Sequence, residues 1–207
     1  MSHRVGRTRW RRFAAVLVPG VTACAVLGIA MAQGALAASF LISGYRFQVT
    51  ADTLTARGLS IYTMVDVTKK HELVPVLVTG ARQATVSGLC ESATLDLPVL
   101  GTYTVTLTGG DERPAEATNL FIDATLVAAG QADFRNVDIG IAQGAITKGP
   151  IDPGDRDSRF FDPSGLGQQA TSVTLNDVSV TTVAVSAATF NIPNLRLRIE
   201  RGRHSCS

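Results

Sequence analysis

The sequence predicts an all-β domain, either a sandwich or a curved antiparallel sheet folded on itself, preceded by an apolar helical export segment. Apolar and polar residues alternate with a period of two from Phe40 onward. No stretch between residues 43 and 207 carries a convincing 3.6-residue period. Ahead of this region, five arginines precede a long run without charge. The first two observations give the fold class, and the third gives the compartment.

Arg4, Arg7, Arg9, Arg11 and Arg12 form a basic start, and Phe13 to Ile42 contains no charged residue. Ala35-Leu36-Ala37 supplies the small-x-small site of a secretory signal peptide, which places cleavage between Ala37 and Ala38. Three other readings compete. Arg11-Arg12-Phe13 resembles a twin-arginine signal, although its flanks match poorly and no cofactor motif follows. Val21-Thr22-Ala23-Cys24 resembles a lipoprotein box, although the chain stays apolar after it. An uncleaved anchor is the third, since the run is long enough for a hydrocarbon core of about 30 Å. Residues 1–37 are thus a signal peptide or an uncleaved membrane anchor. In every reading residues 38–207 are expected as one exported domain, extracellular or on the outer face of the cytoplasmic membrane.

Removing that segment changes the charge. The whole chain carries 19 Lys+Arg against 17 Asp+Glu, but five of the basic residues lie in the first twelve positions. A mildly acidic domain remains, which argues against a nucleic-acid partner. Cys24 falls in the export segment, leaving Cys90 and Cys206. In an oxidising compartment these are expected to pair, the alternative being two free thiols. A bridge closing so long a loop stabilises by about 4–5 kcal/mol in the chain-entropy picture.

Residues 55–67 read as a strand with Leu59 and Ile61 on one side, followed by the polar turn Lys69-Lys70-His71. The next strand, from Leu73, contains Pro75, which predicts a sheet edge because proline cannot donate to a ladder. Thr102 to Thr108 sets Tyr103, Val105 and Leu107 against a row of threonines, which suits a wetted face. Gly109-Gly110-Asp111-Glu112 then predicts a hairpin back through 118–128. Residues 131–142 alternate again, with Val137, Ile139 and Ile141 in phase. The stretch 146–168, rich in Pro, Gly and Asp, is a long surface loop that Phe160-Phe161 tacks down. From 170 to 200 the alternation slips phase, predicting bulges or bends. Residues 132–139 echo 188–195, but without the fixed period of a β-solenoid, the minor alternative fold.

Chemistry is sparse. No Gly-x-Ser-x-Gly nucleophile motif is present, and Gly58-Leu59-Ser60-Ile61-Tyr62 is the nearest match. His71 and His204 are the histidines after the export segment, one in a turn and the other near the C-terminus. Gly165-Leu166-Gly167-Gln168-Gln169-Ala170 has dinucleotide-fingerprint spacing but leads into a strand rather than a helix. Asp152, Asp155, Asp157 and Asp162 offer hard oxygens to calcium, at spacings foreign to an EF-hand and offset by Arg156 and Arg159. The residues assign no catalytic, cofactor-binding or metal-ligating side chain.

Several pieces resemble one another's counterparts in a known family. They are Ala32-Gln-Gly-Ala-Leu-Ala37, Ser39-Phe40 with Ser43-Gly44, Leu89-Cys90-Glu91-Ser92, and Ala117-Thr-Asn-Leu-Phe-Ile-Asp-Ala124. Ile139-Gly140, Gly167-Gln-Gln-Ala170 and Ala188-Thr-Phe-Asn-Ile-Pro-Asn-Leu195 follow, ahead of Cys206. Their order resembles an uncharacterised exported-protein family of Streptomyces and related actinobacteria, sometimes labelled "cholesterol esterase". The resemblance implies an exported protein in which Cys90 and Cys206 match the paired cysteines. The esterase label finds no nucleophile motif or base here.

The expected function is therefore a non-catalytic cell-envelope or secreted β-domain that binds a lipid-like ligand or a membrane-protein partner. Membrane contact is expected only through the N-terminal segment. A lipid-ester hydrolase and a structural envelope protein are the alternatives.

Overall fold

The computed structural model describes residues 43–206, so the export segment and the Ala37–Ala38 cleavage site lie outside the described residues. Nine strands, numbered in chain order, make one antiparallel sheet. They are β1 (Phe47–Val67), β2 (Leu73–Ser87), β3 (Leu89–Leu97), β4 (Gly101–Gly109), β5 (Ala115–Ala128), β6 (Gln131–Ala142), β7 (Leu166–Ser186), β8 (Thr189–Asn191) and β9 (Arg196–Arg201). The described residues are nearly all β, as the alternation predicts. Every pairing is antiparallel, so the parallel coils of a solenoid do not form. Among the described residues no helix is long and apolar enough to cross a membrane.

Four long strands position everything else. β1 pairs with β2 on one edge and with β7 on the other. β2 pairs with β5, and Phe121–Ala128 of β5 pairs with β7. The hydrogen-bonded path β1–β2–β5–β7 therefore returns to β1. Side chains on its inner surface face one another and, at one side, residues of β6.

Strands this long must bend to follow such a path, and each switches its inward phase part-way along. Leu54 and Ala56 line the interior before Gly58, and Leu59 and Ile61 line it afterwards. Gly58 takes φ +66°, where a Cβ would stand 2.7 Å from Arg82 Cγ; only glycine adopts that backbone at little cost. β2 switches at the same level, between Ala81 and Ala84. β7 switches at Asp177, with Leu175 before it and Val178 after. The slip predicted for residues 170–200 is thus a kink within one strand of 21 residues.

Three expectations are corrected. β2 is not an edge strand. Pro75 lies opposite Val65 of β1, and the pairing of β2 with β5 begins only at Leu77. The proline's missing donor therefore falls on an overhang with no ladder to break. The predicted hairpin between β4 and β5 does not form either: β4 pairs with β3 and β9. Gly110, at φ +79°, turns the chain across to β2, where Ala115 meets Val86. Finally, the threonine face of β4 is not uniformly wet. Thr104 is buried, its Oγ1 donating to the Gly202 carbonyl and accepting from the His204 N–H. The C-terminal tail is drawn over this face, with Cys206 bonded to Cys90 at a Cα separation of 5.9 Å.

The connection between β6 and β7 holds a 3-10 turn, Gln143–Ala145, and a short helix, α1 (Pro153–Arg156). It is pinned rather than free. Ile146 and Ile151 are buried with Tyr62, Met64, Val76, Val78, Phe121 and Val183, and Phe160 and Phe161 pack against that cluster. Phe161 meets Tyr62 edge-on, with ring centroids 6.1 Å apart. Each large apolar side chain so buried stabilises by about 1.5–3 kcal/mol. Phe160-Phe161 therefore holds the loop, as the sequence suggests.

Candidate functional site

The space bounded by the four-strand path and β6 is not filled, and it is partly open to the surface. A cavity of about 240 Å³ lies among Leu54, Ala56, Leu59 and Ile61 of β1, Ala81 and Ala84 of β2, and facing residues of β5, β6 and β7. Its origin can be read residue by residue. Ala56, Ala81 and Ala84 occupy inward positions where the alternating pattern elsewhere places Leu, Val or Ile, and all three are buried. An interior packs close to crystal density when side-chain volumes match the available space. Here the alanines leave a void. Val127 of β5 and Phe134 of β6 also line it and are partly exposed, which places them at the rim.

The walls are apolar apart from Thr79. A ligand there would gain from apolar burial, with at most one side-chain hydroxyl to orient it. A cavity of about 150 Å³ lined by Leu, Ile and Phe stays dry and binds benzene. This larger one suits a branched or linear hydrocarbon segment.

A second hollow, a cleft of about 660 Å³, gathers acidic residues beneath the pinned loop. Asp66 of β1, Asp123 of β5, and Asp152 and Asp155 of the loop line it with Phe47, Met64, Phe160 and Arg159. The Tyr62 hydroxyl donates to Asp155 Oδ2 at 2.7 Å and accepts the Asp152 N–H at 3.0 Å. One residue thereby ties both ends of the acidic turn to β1. Burial pushes Asp66 up to about 6, helped by the nearby Asp155 and Asp152. Burial, then the charges of Asp66, Asp155 and Asp152, pushes Asp123 up to about 8. Burial also raises Asp155 to about 6 despite the Tyr62 hydrogen bond. Asp66 Oδ2 is buried without a hydrogen-bond partner. The Arg159 guanidinium lies over the Phe160 ring, 4.6 Å from its centroid.

The other residues singled out from the sequence fall into structural roles. Ser60 is buried in the middle of β1, and its hydroxyl donates to the carbonyls of Gly80 and Pro150. His71 sits exposed in the β1–β2 turn, and His204 Nε2 contacts the Arg201 carbonyl. Neither histidine reaches Ser60's hydroxyl. The four loop aspartates do not converge. Asp152 Oδ1 accepts from Gly154 N, Asp162 Oδ1 from Ser164 N, and Asp155 from Tyr62. Gly165 to Ala170 runs into β7, where Gln169 Oε1 accepts the Thr147 and Lys148 N–H groups at 2.7 and 2.8 Å. That glutamine fixes the loop and contacts no nucleotide-like cradle.

Sequence reasoning missed both hollows. Asp66, Asp123, Asp152 and Asp155 are scattered along the chain and meet only through the β1–β2–β5–β7 pairing. The alanines carried a fainter signal, as small residues at in-phase positions of otherwise bulky strands.

No curated protein and no solved structure matches this chain. A family model does: it spans residues 43–207, which is the whole of the β-domain described above. The chain therefore belongs to the family of unknown function DUF6230.

Proposed function

We propose that this protein is an exported, non-catalytic β-domain of the cell envelope or its surroundings that holds a lipid-like ligand in the alanine-floored cavity. The observation that carries the reading is the cavity itself: about 240 Å³ between the strand path and β6, with Thr79 as its sole polar lining side chain. An ordinary core of this composition would close on itself, because empty apolar volume is destabilising. A ligand that supplies the missing contacts offsets that penalty. The basic start, the uncharged run and Ala35-Leu36-Ala37 support export.

Size narrows the ligand. The cavity's volume is roughly that of eight water molecules at about 30 Å³ each. That accommodates part of an acyl chain and is too small for a whole sterol. Val127 and Phe134 at the rim leave the polar end of such a ligand in water. The test is titration with saturated fatty acids of increasing length. Affinity should rise about fourfold per added methylene, at about 0.8 kcal/mol each, and then reach a plateau once the cavity is full. Ala84→Phe should abolish the rise. Binding that ignores chain length, or that survives Ala84→Phe, would contradict the proposal.

A further inference from the structure

The sheet ends in β6 on one side and β9 on the other. The two edges differ in what would meet if each paired with a second copy of itself. β9 is guarded: antiparallel self-pairing along its whole length sets Arg196 against Arg201. β6 has 12 residues and contains neither proline nor lysine, the common guards of an exposed edge. Its one strand partner among the described residues is β7.

The faces of β6 follow from its neighbours, because directly opposed residues share a face in an antiparallel ladder. Ala132 and Phe134 line the cavity. Val137 lies opposite Ala170, itself opposite Leu59, and Ile139 lies opposite Gln168, itself opposite Ile61. Leu59 and Ile61 line the same cavity, so Val137 and Ile139 share the face of Phe134. The change of phase falls at Asn136, which takes φ +51°. Asp133, Arg135 and Asp138 occupy the opposite face. Although Phe134, Val137 and Ile139 are on the inward side, they are 40%, 41% and 71% exposed.

We infer that β6 pairs antiparallel with β6 of a second copy, about a twofold axis between Asn136 and Val137. The register that joins the whole strand to itself sets Gln131 opposite Ala142. It brings Phe134 against Ile139 on the apolar face and Arg135 against Asp138 on the polar face, and the symmetry forms each pair twice. A two-residue slip is the smallest that keeps the faces. In one direction it sets Asp133 against Asp138, and in the other it leaves Arg135 opposite Gly140. Asp138 is held ready for the contact: Lys148 Nζ and Gln169 Nε2 both bond its Oδ2, at 2.7 and 2.8 Å, which leaves Oδ1 to accept from Arg135 of the second copy. Arg135 enters no ion pair among the described residues. Lys148 Nζ also holds the Asn136 carbonyl, so the new ladder has a gap at the axis and forms on either side of it.

Sedimentation velocity of the protein purified from its host tests this, since mass reads the association whether or not the cavity is filled. Wild type should run as a dimer that dissociates on dilution. Arg135→Asp and Asp138→Lys should each weaken self-association by about tenfold, because two opposed pairs become like-charged. Mixed in equal amounts, the two variants should form the dimer again, since every opposed pair then joins opposite charges. Ile139→Asp should lower the dimer fraction without lowering the monomer's Tm, because the side chain it replaces is largely in water. Recovery of the dimer on mixing establishes the inference. A wild-type monomer at every concentration overturns it. So does a dimer of full strength in both charge variants or in Ile139→Asp, and so do charge variants that are folded by circular dichroism yet stay monomeric when mixed.

Discussion

Filling the cavity with Ala84→Leu gives a prediction in which two effects of opposite sign can be weighed. Ala84 is buried and lines the void with its methyl group. At roughly 24 cal/mol per Å³ of residual void, the 240 Å³ cavity forgoes on the order of 6 kcal/mol when empty. Leucine adds three carbons, worth about 0.8 kcal/mol each when buried. Ordering the longer side chain costs about 0.5–1 kcal/mol, which leaves a net gain of about 1.5 kcal/mol. Overpacking a filled core would instead cost about 1–3 kcal/mol. For a domain of this size 1 kcal/mol moves Tm by about 2–4 °C, so the ligand-free variant should melt roughly 3–6 °C higher by calorimetry. Its affinity for fatty acids should fall in the same preparation. A Tm several degrees lower would refute the reasoning, since it would mean that the space beside Ala84 is already occupied by protein.

Three further predictions concern the acidic cleft and the tail. Asp66, Asp123 and Asp155 all have folded pKa values above the unfolded carboxylate's, so unfolding releases protons and their stabilisation is complete only below about pH 4. It is lost as pH rises through about 6 for Asp66 and Asp155 and about 8 for Asp123. Urea midpoints should accordingly decline between pH 5 and 8.5, with Asp123→Asn flattening the upper step; a midpoint that climbs over this range contradicts the assignment. Tyr62→Phe leaves the Asp152 N–H and the Asp155 carboxylate without their shared partner, and should cost about 1–3 kcal/mol in denaturant unfolding. Cys206→Ser opens a bridge spanning 116 residues and should cost about 2–5 kcal/mol, with hydrogen exchange rising first at the Cys206 and His204 amides. An unchanged exchange pattern would mean that the tail's hydrogen bonds hold it without the bridge.

How much of this was legible in the sequence depended on whether the signal was local. Strand alternation is local, and β6 and the span of β4 emerge where the period-two pattern puts them. Partner choice is not local. Gly109-Gly110-Asp111-Glu112 has the composition of a hairpin turn, yet the strand that follows is captured by β2, with Ala117 opposite Ala84 and Leu120 opposite Ala81. Small residues on both strands let them approach the interior, a fit that no single segment reveals. Pro75 misled for a related reason, because a proline's cost depends on which edge of the strand is paired at that residue. The long loop was visible from its Pro, Gly and Asp content, and its anchor from Phe160-Phe161. Its deepest attachment, Tyr62 to Asp152 and Asp155, joins residues some ninety positions apart. The cavity was the least legible feature, since three alanines in three places mean nothing until the strand path closes around them.

The claim that this domain carries an apolar ligand is tested most directly by native mass spectrometry of the protein purified from its own host without detergent. The account predicts a mass above that of the processed chain which collapses on activation with release of an acyl-sized species, and which Ala84→Phe protein lacks. A single unliganded mass that takes up no fatty acid on titration would contradict it.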